Sequence, residues 1–292
     1  MVTSDTARIV SLYRYPVKGL SPEMLESAKL ETDGHFPGDR MFAIENGPSG
    51  FNPQEAEHMQ KIRFLMLMKH ERLARLKTRY DDATATLSIQ QGGHLLVAGD
   101  LRTQSGREAL EAFFASQFPS ELRGAPKILS APPGFRFMDS RSGFVSIIDM
   151  ASVAAIAGAA GRENLDPLRF RANLYVEGWG AWGEFDRIGQ HLRVGGATLE
   201  ITKRIDRCAA TDVDPSTGLR DFRMVEMLQR SFGHHDCGVY ARIIAGGLVK
   251  TGDQVIEGSE LKSTPHAQAL PSPAPDGDHR QQERDQGIPA RQ

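Results

Sequence analysis

The 292-residue sequence contains very little cysteine, and its opposite charges almost cancel. Cys208 and Cys237 are its only two cysteines, too few for a disulfide framework and consistent with a reducing compartment. The 35 basic and 37 acidic side chains leave a formal net charge of −2, so no overall field attracts nucleic acid. We therefore expect a cytoplasmic protein that is neither a disulfide-rich secreted protein nor a nucleic-acid-binding one.

Long apolar runs are also missing. The first residues are polar and include Asp5, with no apolar core behind them, so no signal peptide is predicted. The longest weakly polar stretch, 144–161, contains Asp149 and is rich in Ala and Gly, which predicts a strand and a helix rather than a membrane span. No Gly-rich loop separates a strand from a helix, which argues against P-loop and dinucleotide-binding folds. We expect no membrane partner.

Short strands separated by turns dominate the apolar pattern from 7 to 260. The stretches 8–15 and 170–177 alternate as strands do, and Gly195-Gly196 is typical of a hairpin turn. Helical spacing predicts a helix over 106–118 and another over 54–69, and an Ala-rich helix begins at Asp149 or Ser152. The pattern predicts a mainly β (α+β) protein built on β-barrels, with a few short helices.

The C-terminal stretch differs from the rest in composition. Residues 262–292 are mostly Ser, Thr, Pro, Gln, Asp and Arg, with almost no large apolar side chain. Such a segment cannot bury enough surface to offset the entropy lost on ordering. We predict a disordered tail.

The segment 207–218, RCAATDVDPSTG, carries the strongest chemical signal. Cys208 follows the basic stretch 203–207 and precedes the polar turn 214–218. Cations beside a thiol favour the thiolate, which is both the nucleophile and the metal ligand, although Asp206 partly offsets them. The alternative is a small buried apolar residue before a turn.

Two sets of motifs resemble known domains. The Cys208 segment, together with FRAN at 170–173, GVY at 238–240 and VKTGD at 249–253, resembles a MOSC domain, the C-terminal domain of molybdenum cofactor sulfurases. YPVKGL at 15–20, followed by PGDR at 37–40, resembles the N-terminal β-barrel domain that precedes MOSC in amidoxime-reducing molybdoenzymes and their bacterial relatives. The resemblance implies an N-terminal β-barrel-like domain at 7–122, packed on a MOSC β-barrel at 127–260.

The same resemblance implies that the chain binds the molybdenum cofactor, a pterin with a dithiolene and a phosphate. Cys208 is the expected metal ligand, because a soft thiolate suits such a metal. With Cys208, Thr211 and Asp214 are the expected catalytic residues, placed to hydrogen-bond near the metal or pterin. Their ordinary alternative is local turn capping.

Basic side chains are the expected partners of the cofactor phosphate. Lys18, Arg40 and Arg171 match basic positions of the family, and Arg offers a planar fork for phosphate where Lys offers a point charge. Asn173 is the expected reader of the pterin edge, together with Thr211. The alternatives are a solvated Lys18, an ion pair between Arg40 and its acidic neighbour, and an Asn173 amide satisfied within a strand.

Three functions fit this set of residues. The first is a reductase of N-oxygenated or similarly oxidised small molecules, which needs a separate electron-transfer protein because no flavin or iron–sulfur motif is present. The second is a sulfur carrier with a persulfide on Cys208, and the third is a non-catalytic cofactor-binding module. The family pattern is altered by Asp212 in place of a second threonine, Ala172 in place of proline, and Gly19-Leu20 in place of Ser-Cys.

A second cluster, GHHDC at 233–237, is interpreted as a loop rather than a metal site. Adjacent strand residues point to opposite faces, so His234 and His235 do not readily share one ion. Zinc would also require ligands at tetrahedral spacing. Whether Cys237 supplies a second thiol near the site is left open.

Overall fold

β-Strands dominate the computed structural model, which describes residues 6–141 and 144–258. The strands described are β1 (Thr6–Arg14), β2 (Glu23–Leu25), β3 (Ser27–Leu30), β4 (Phe42–Ile44), β5 (Lys77–Asp81), β6 (Thr86–Gln91), β7 (His94–Asp100), β8 (Ile128–Ser130), β9 (Val145–Asp149), β10 (Leu174–Glu177), β11 (His191–Val194), β12 (Ala197–Asp206), β13 (Asp236–Ala245), β14 (Gly247–Lys250) and β15 (Gln254–Glu257). The α-helices described are α1 (Gln104–Gln117), α2 (Met150–Ala159) and α3 (Met224–Phe232). The predicted mainly β fold with a few short helices is confirmed, and the predicted tail at 262–292 lies outside the described residues.

Seven of the described strands close into a barrel. Around it run β1, β10, β9, β13, β12, β11 and β15, and β1 closes the ring by pairing with both β10 and β15. The pairings around the ring are antiparallel except that of β9 with β10, which is parallel. Closure leaves the barrel without the free edges that an open sheet exposes.

Alternating apolar side chains fill the barrel. In β1, for example, Ala7, Ile9 and Leu12 are buried while Arg8 is exposed. The central barrel strands contribute further buried side chains to the same cluster: Val145, Ile147, Leu174, Val176, Leu199, Ile201, Val239, Ala241 and Ile243. Burying each such side chain contributes on the order of 1.5–3 kcal/mol.

A second core lies in the N-terminal part of the chain. The sheet β5-β6-β7 packs against α1, burying Leu87, Ile89, Leu110 and Phe114. This part also shares strands with the C-terminal part, since β3 pairs with β14 and β1 belongs to the barrel. The predicted division into domains at 7–122 and 127–260 stays a prediction.

Two of the predicted helices are confirmed, with caps that explain where they begin. The Thr103 hydroxyl accepts the Gly106 N–H at 3.0 Å at the start of α1, and the Asp149 carboxylate accepts the Ala151 N–H at 2.8 Å at the start of α2. The predicted strand 170–177 is shorter than expected, since Pro167–Phe170 is a 3-10 turn and the strand is Leu174–Glu177. The longest described helix, α1, has 14 residues, and none in the described part of the chain combines the length and hydropathy that crossing a membrane requires.

The helix predicted over 54–69 is wrong. This segment contains only two 3-10 turns, Pro53–Glu55 and Lys61–Arg63. Its later backbone groups bond to β4 and its extension instead, with the Leu65 N–H donating to the Ile44 carbonyl and the Asn46 N–H donating to the Arg63 carbonyl, both at 2.9 Å. Pairing across the chain therefore replaces the helical hydrogen bonds that the apolar spacing predicted.

One carboxyl group is fully buried beside α2. Glu184 has no exposed surface, and one of its oxygens accepts the Ser152 hydroxyl at 2.8 Å. Its second oxygen has no hydrogen-bond partner among the described residues. Burial raises the pKa of Glu184 to about 7 from its ordinary value of 4.5.

We expect Glu184→Gln to stabilise the protein increasingly as the pH rises. The folded state holds the Glu184 proton more tightly than the unfolded chain, so stability is highest below pH 4.5 and declines as the pH rises through about 7. The pKa difference corresponds to on the order of 3 kcal/mol at alkaline pH. Urea unfolding of both proteins between acidic and alkaline pH measures the effect, with Glu226→Gln on the exposed face of α3 as control. Parallel stability curves for wild type and Glu184→Gln would contradict the assignment.

Candidate functional site

Cys208 lies directly after β12, where the chain leaves the barrel. It precedes the 3-10 turn Ala209–Asp212, and its carbonyl accepts both the N–H and the hydroxyl of Thr211, at 3.0 and 2.9 Å. The cysteine is free and partly exposed. The turn therefore leaves the Cys208 thiol accessible, whereas the Thr211 hydroxyl is used to hold the turn.

Arg169 organises the loop that follows Cys208. Its guanidinium is buried, donates to the Thr211 carbonyl at 3.0 Å, and lies 3.5 Å from the Asp214 carboxylate and 3.3 Å from that of Asp221. Hydrogen bonds between charged groups are about twice as strong as neutral ones. Arg169 directly precedes the motif 170–173, but its partners lie 42–52 residues away in the chain and no local pattern marks them.

Asp214 builds the turn that closes this loop. One carboxylate oxygen accepts the N–H and hydroxyl groups of Ser216 and Thr217, at 2.6–3.0 Å. Burial raises the pKa of Asp214, but these hydrogen bonds outweigh it and hold the pKa at about 2. This geometry matches the turn-capping alternative, and the predicted catalytic role stays a prediction. Asp212, which departs from the family pattern, accepts the Met224 N–H at 2.9 Å where α3 begins.

Basic side chains fasten this loop to the N-terminal part of the chain. Arg220 donates to the Ala209 carbonyl at 2.9 Å and to the Met68 carbonyl at 2.6 Å. From the other side, Arg75 and Lys77 donate to loop carbonyls, each at 2.9 Å. The Cys208 loop and the segment 67–77 are therefore connected by several charge-assisted hydrogen bonds.

Lys61 lies close enough to Cys208 for the two groups to interact electrostatically. Cys208 and Asp139 both raise the pKa of the Lys61 ammonium. Burial lowers the pKa of Lys61, but these two partners outweigh it and the net shift is upward. The sequence indicated Arg207 as a cation beside the thiol, yet its guanidinium donates to the carbonyls of Cys237 and Phe170 at 2.8 and 2.7 Å. Lys61 was not predicted as a site residue, because the sequence pattern placed it in a helix over 54–69 that does not form.

Lys18 lies in the same group of charges. It is 6% exposed, and its ammonium donates to the Phe137 carbonyl at 3.0 Å and to the Asp139 carboxylate. Gly19 has a φ of +81°, and a Cβ there would lie 2.8 Å from the Leu65 carbonyl, so only glycine lets this segment approach the chain beyond Lys61 so closely.

Arg40 and Arg171 lie next to each other around one aromatic ring. Their guanidinium carbons lie 4.8 and 4.3 Å from the centre of the Tyr15 ring, and Arg40 donates to the Arg171 carbonyl at 3.2 Å. Arg40 also pairs with Asp39, which is fully buried. The ion pair named as the alternative for Arg40 is therefore present.

Both arginines have strained backbones. Arg40 and Arg171 have φ angles of +46° and +56°, in the left-handed region that side chains other than glycine rarely adopt. Burial, and then the like charge of Arg40, lower the pKa of Arg171 to about 10. The Nη2 of Arg171 is buried without a hydrogen-bond partner among the described residues. An anion is the ligand that would relieve both the repulsion and the unpaired donor.

A shared electrostatic environment joins these groups to Cys208. Burial raises the pKa of Tyr240, and its phenol is also influenced by Arg207, Asp139, Arg40 and Cys208. Asp139 in turn interacts with Lys18, Lys61 and Arg40. Of the residues predicted from the sequence, the structure thus brings Cys208, Lys18, Arg40 and Arg171 into one group, which we call the basic cluster together with Lys61 and Asp139.

Asn173 has its amide bonded within the barrel. Its oxygen accepts the backbone N–H and the hydroxyl of Ser146 at 3.1 and 2.9 Å, and its nitrogen donates to the Tyr13 carbonyl at 3.1 Å. These contacts join β9 and β1 next to the start of β10. They match the alternative of a satisfied strand amide, and a pterin contact by Asn173 stays a prediction.

The histidines and the cysteine at 233–237 lie in different surroundings. His234 and His235 lie in a loop, and the His234 ring packs edge-on against Trp182 with centroids 4.9 Å apart. Cys237 is fully buried in β13, which raises its pKa to about 12. Within 6–141 and 144–258, no group of three or more His, Cys, Asp or Glu side chains is placed to hold a metal ion.

Comparison with known proteins agrees with this architecture. The family model of the MOSC N-terminal beta barrel domain matches residues 6–122, and that of the MOSC domain matches 136–256. Together they span nearly all of the described residues and define a two-part class of β-barrel proteins. The chain belongs to the MOSC domain family, in the form that carries the N-terminal MOSC β-barrel domain.

Solved structures show weaker similarity. The YuaD protein of Bacillus subtilis is 15% identical, with a TM-score of 0.41, over 86% of this chain and 94% of YuaD. YiiM of Escherichia coli is 16% identical with a TM-score of 0.33, over 43% of this chain and 59% of YiiM. YiiM of Geobacillus stearothermophilus is also 16% identical with a TM-score of 0.33, over 41% of this chain and 56% of YiiM. No curated protein matches significantly.

The two cysteines are expected to differ sharply in reactivity. Cys208 is partly exposed and Cys237 is fully buried, so a thiol reagent should modify Cys208 alone in the native protein and both thiols in denaturant. Mass spectrometry of the labelled peptides identifies the site. Native labelling of Cys237 at a comparable rate would contradict the described burial.

Arg220→Ala is expected to loosen the Cys208 loop. The variant loses the donors to Ala209 and Met68, which is expected to cost about 1–2 kcal/mol and to increase cleavage within 209–221. Urea unfolding and limited proteolysis measure the two effects. Arg242→Ala is the control, because that half-exposed arginine pairs with Glu200 on the barrel surface. Cleavage as slow as in wild type would show that Arg220 does not hold the loop.

Proposed function

We propose that this protein binds the molybdenum cofactor and reduces N-oxygenated or similarly oxidised small molecules with electrons from a separate redox protein. The observation that carries the proposal is a free, partly exposed Cys208 in the same group of charges as Lys61, Lys18, Arg40 and Arg171. A soft metal ligand next to an anion-binding surface suits a cofactor that has both a metal and a phosphate. Membership of the MOSC family supports the cofactor part.

The side chains present fit the cofactor. Cys208 supplies a single soft donor, which is what a metal already held by a dithiolene needs from the protein. Arg171 has a buried donor without a partner, and Arg40 adds a second guanidinium beside it. Lys18 pairs with the Asp139 carboxylate, and Lys61 adds a second ammonium under the electrostatic influence of the same carboxylate. The cluster therefore has unused capacity for a multiply charged anion.

Each part of this chain has a distinct task in the proposed activity. Cys208 would hold the metal, and Lys18, Lys61, Arg40 and Arg171 would hold the phosphate. Thr211 and Arg169 would keep Cys208 oriented through the hydrogen bonds of the loop. When bound, the cofactor supplies two-electron redox chemistry, and the protein binds and orients the reactants.

Electrons must come from another protein under this proposal. Reduction of an N–O bond to N–H takes two electrons and two protons and releases water. The sequence contains no iron–sulfur or flavin-binding motif. A soluble redox protein that docks near the basic cluster would supply the electrons.

A sulfur carrier is the second candidate. The accessible Cys208 thiol beside the Lys61 ammonium also suits a persulfide, because persulfide chemistry starts from a reactive thiolate and needs no metal. Under this reading the basic cluster would bind an anionic acceptor of the sulfur. The accessible thiol favours this candidate over a non-catalytic module.

Metal analysis of protein made in a host that synthesises the cofactor tests the proposal. We expect about one molybdenum atom per chain in the wild type and none in Cys208→Ala, because a thiolate is the expected protein ligand. Reduction of an N-hydroxylated amidine with a reduced dye as donor should follow the molybdenum content. Cys237→Ala is the matched control, since it removes the other, buried thiol and should retain the metal.

The remaining outcomes separate the alternatives. Sulfur released by a reductant from a metal-free wild type, and absent in Cys208→Ala, would replace the reductase by the sulfur carrier. A protein with neither molybdenum nor labile sulfur would refute both. Normal activity in Cys208→Ala would refute every role given to this thiol.

A further inference from the structure

Asp139 is an exposed acid inside a group of buried bases. Its side chain is 54% exposed, whereas the Lys18 side chain that it contacts is 7% exposed. It lies between β8 and β9, far from Lys18 and Lys61 in the sequence. The carboxylate thus reaches into the basic cluster from the solvent side.

Asp139 is the acidic partner of Lys18 among the described residues. Among the described residues, the Lys18 ammonium otherwise contacts the Phe137 carbonyl and the ring of Phe64, 5.8 Å from its centroid. Arg40, by contrast, has Asp39 as a dedicated counter-ion. Leaving the buried Lys18 ammonium without any anion would be unfavourable, as for other buried charges that lose a partner, so the site requires either Asp139 or a replacement anion.

The carboxylate can leave without disturbing the fold. Its side chain already faces solvent, so returning it to water costs little desolvation. The neighbouring backbone is fixed independently, because the Phe137 N–H donates to the Arg40 carbonyl at 3.0 Å. A rotation of the Asp139 side chain is therefore enough to free Lys18 and Lys61, whereas Lys18 itself is buried and stays in place.

We propose that Asp139 is an internal counter-anion that occupies the anion site of the basic cluster and is displaced by the phosphate of an incoming ligand. The Asp139 carboxylate and the ligand compete for Lys18 and Lys61. The ligand must therefore bind these ammonium groups more strongly than the tethered carboxylate does. A phosphate dianion succeeds where a monoanion such as chloride does not, since it offers more charge and more acceptor oxygens. The inference rests on the proposed function only in taking the cofactor as the natural ligand.

The test uses Asp139→Asn in the full-length, cofactor-free protein. Its melting temperature is measured against inorganic phosphate, with chloride keeping the ionic strength constant. Without phosphate the variant should melt below the wild type. Phosphate should then stabilise it at about tenfold lower concentration than it stabilises the wild type, because the tethered competitor is gone. Adding Lys61→Met to the variant should reduce this gain.

Asp82→Asn is the matched control. Asp82 is 62% exposed and pairs with the Arg14 side chain, which is 11% exposed, so it reproduces the arrangement of an exposed acid on a buried base away from the cluster. It should show the wild-type response to phosphate. An equal phosphate response in wild type and Asp139→Asn, no response in either, or an equal gain in Asp82→Asn would each overturn the proposal.

A structural measurement keeps the proposal open to refutation if Asp139→Asn does not fold. Wild-type crystals soaked in phosphate should show phosphate on Lys18 and Lys61, with the Asp139 carboxylate turned away. Phosphate bound while Asp139 stays on Lys18, or an unchanged cluster, would refute displacement. These outcomes are independent of metal content: molybdenum without the phosphate effect refutes the role of Asp139 alone, and the reverse refutes cofactor binding alone.

Discussion

Hydrogen bonds from arginine and lysine side chains to backbone carbonyls hold the Cys208 loop against the N-terminal part of the chain. Arg220 spans the two parts, Arg169 supports the loop from within, and Arg75 and Lys77 reach it from outside. A hydrogen bond to a backbone carbonyl is stronger when its donor is cationic. These side chains can therefore hold a loop that lacks regular structure. This fastening keeps the Cys208 loop beside the segment 67–77.

Grouping several positive charges is unfavourable because they repel one another, and neighbouring side chains offset this repulsion. Asp39 pairs with Arg40, Asp139 pairs with Lys18, and both guanidinium groups lie against the Tyr15 ring. The left-handed backbones of Arg40 and Arg171 persist because neighbouring strands hold them, as with the Arg40 N–H that donates to the Tyr15 carbonyl at 2.7 Å. The result is a preorganised group of basic side chains, which is the arrangement that the proposed anion binding requires.

Some of the residues predicted from the sequence lie together in the structure, and other members of the group had no sequence signal, for identifiable reasons. Lys18, Arg40, Arg171 and Cys208 lie in motifs that resemble the MOSC family, and the structure groups them. The polar atoms of Asp214 and Asn173 turn out to be bonded within the protein, which no motif reveals. Residues 54–69 have apolar residues at helical spacing, but the later part of this segment forms backbone hydrogen bonds with β4 and its extension instead of a helix. This pairing places Lys61 in the cluster.

The sequence by itself determined those features that depend on residues close together in the chain. Alternation marks β1, Gly195-Gly196 marks the β11–β12 hairpin, and a polar cap marks the start of α2, because each depends on residues a few positions apart. Barrel closure by β1 and the partners of the Cys208 thiol depend on groups more than a hundred residues apart in the chain. Nothing in the sequence around Lys61 or Asp139 marks either residue as part of a site. Only the packing of the two distant segments that carry them brings their charges into one group.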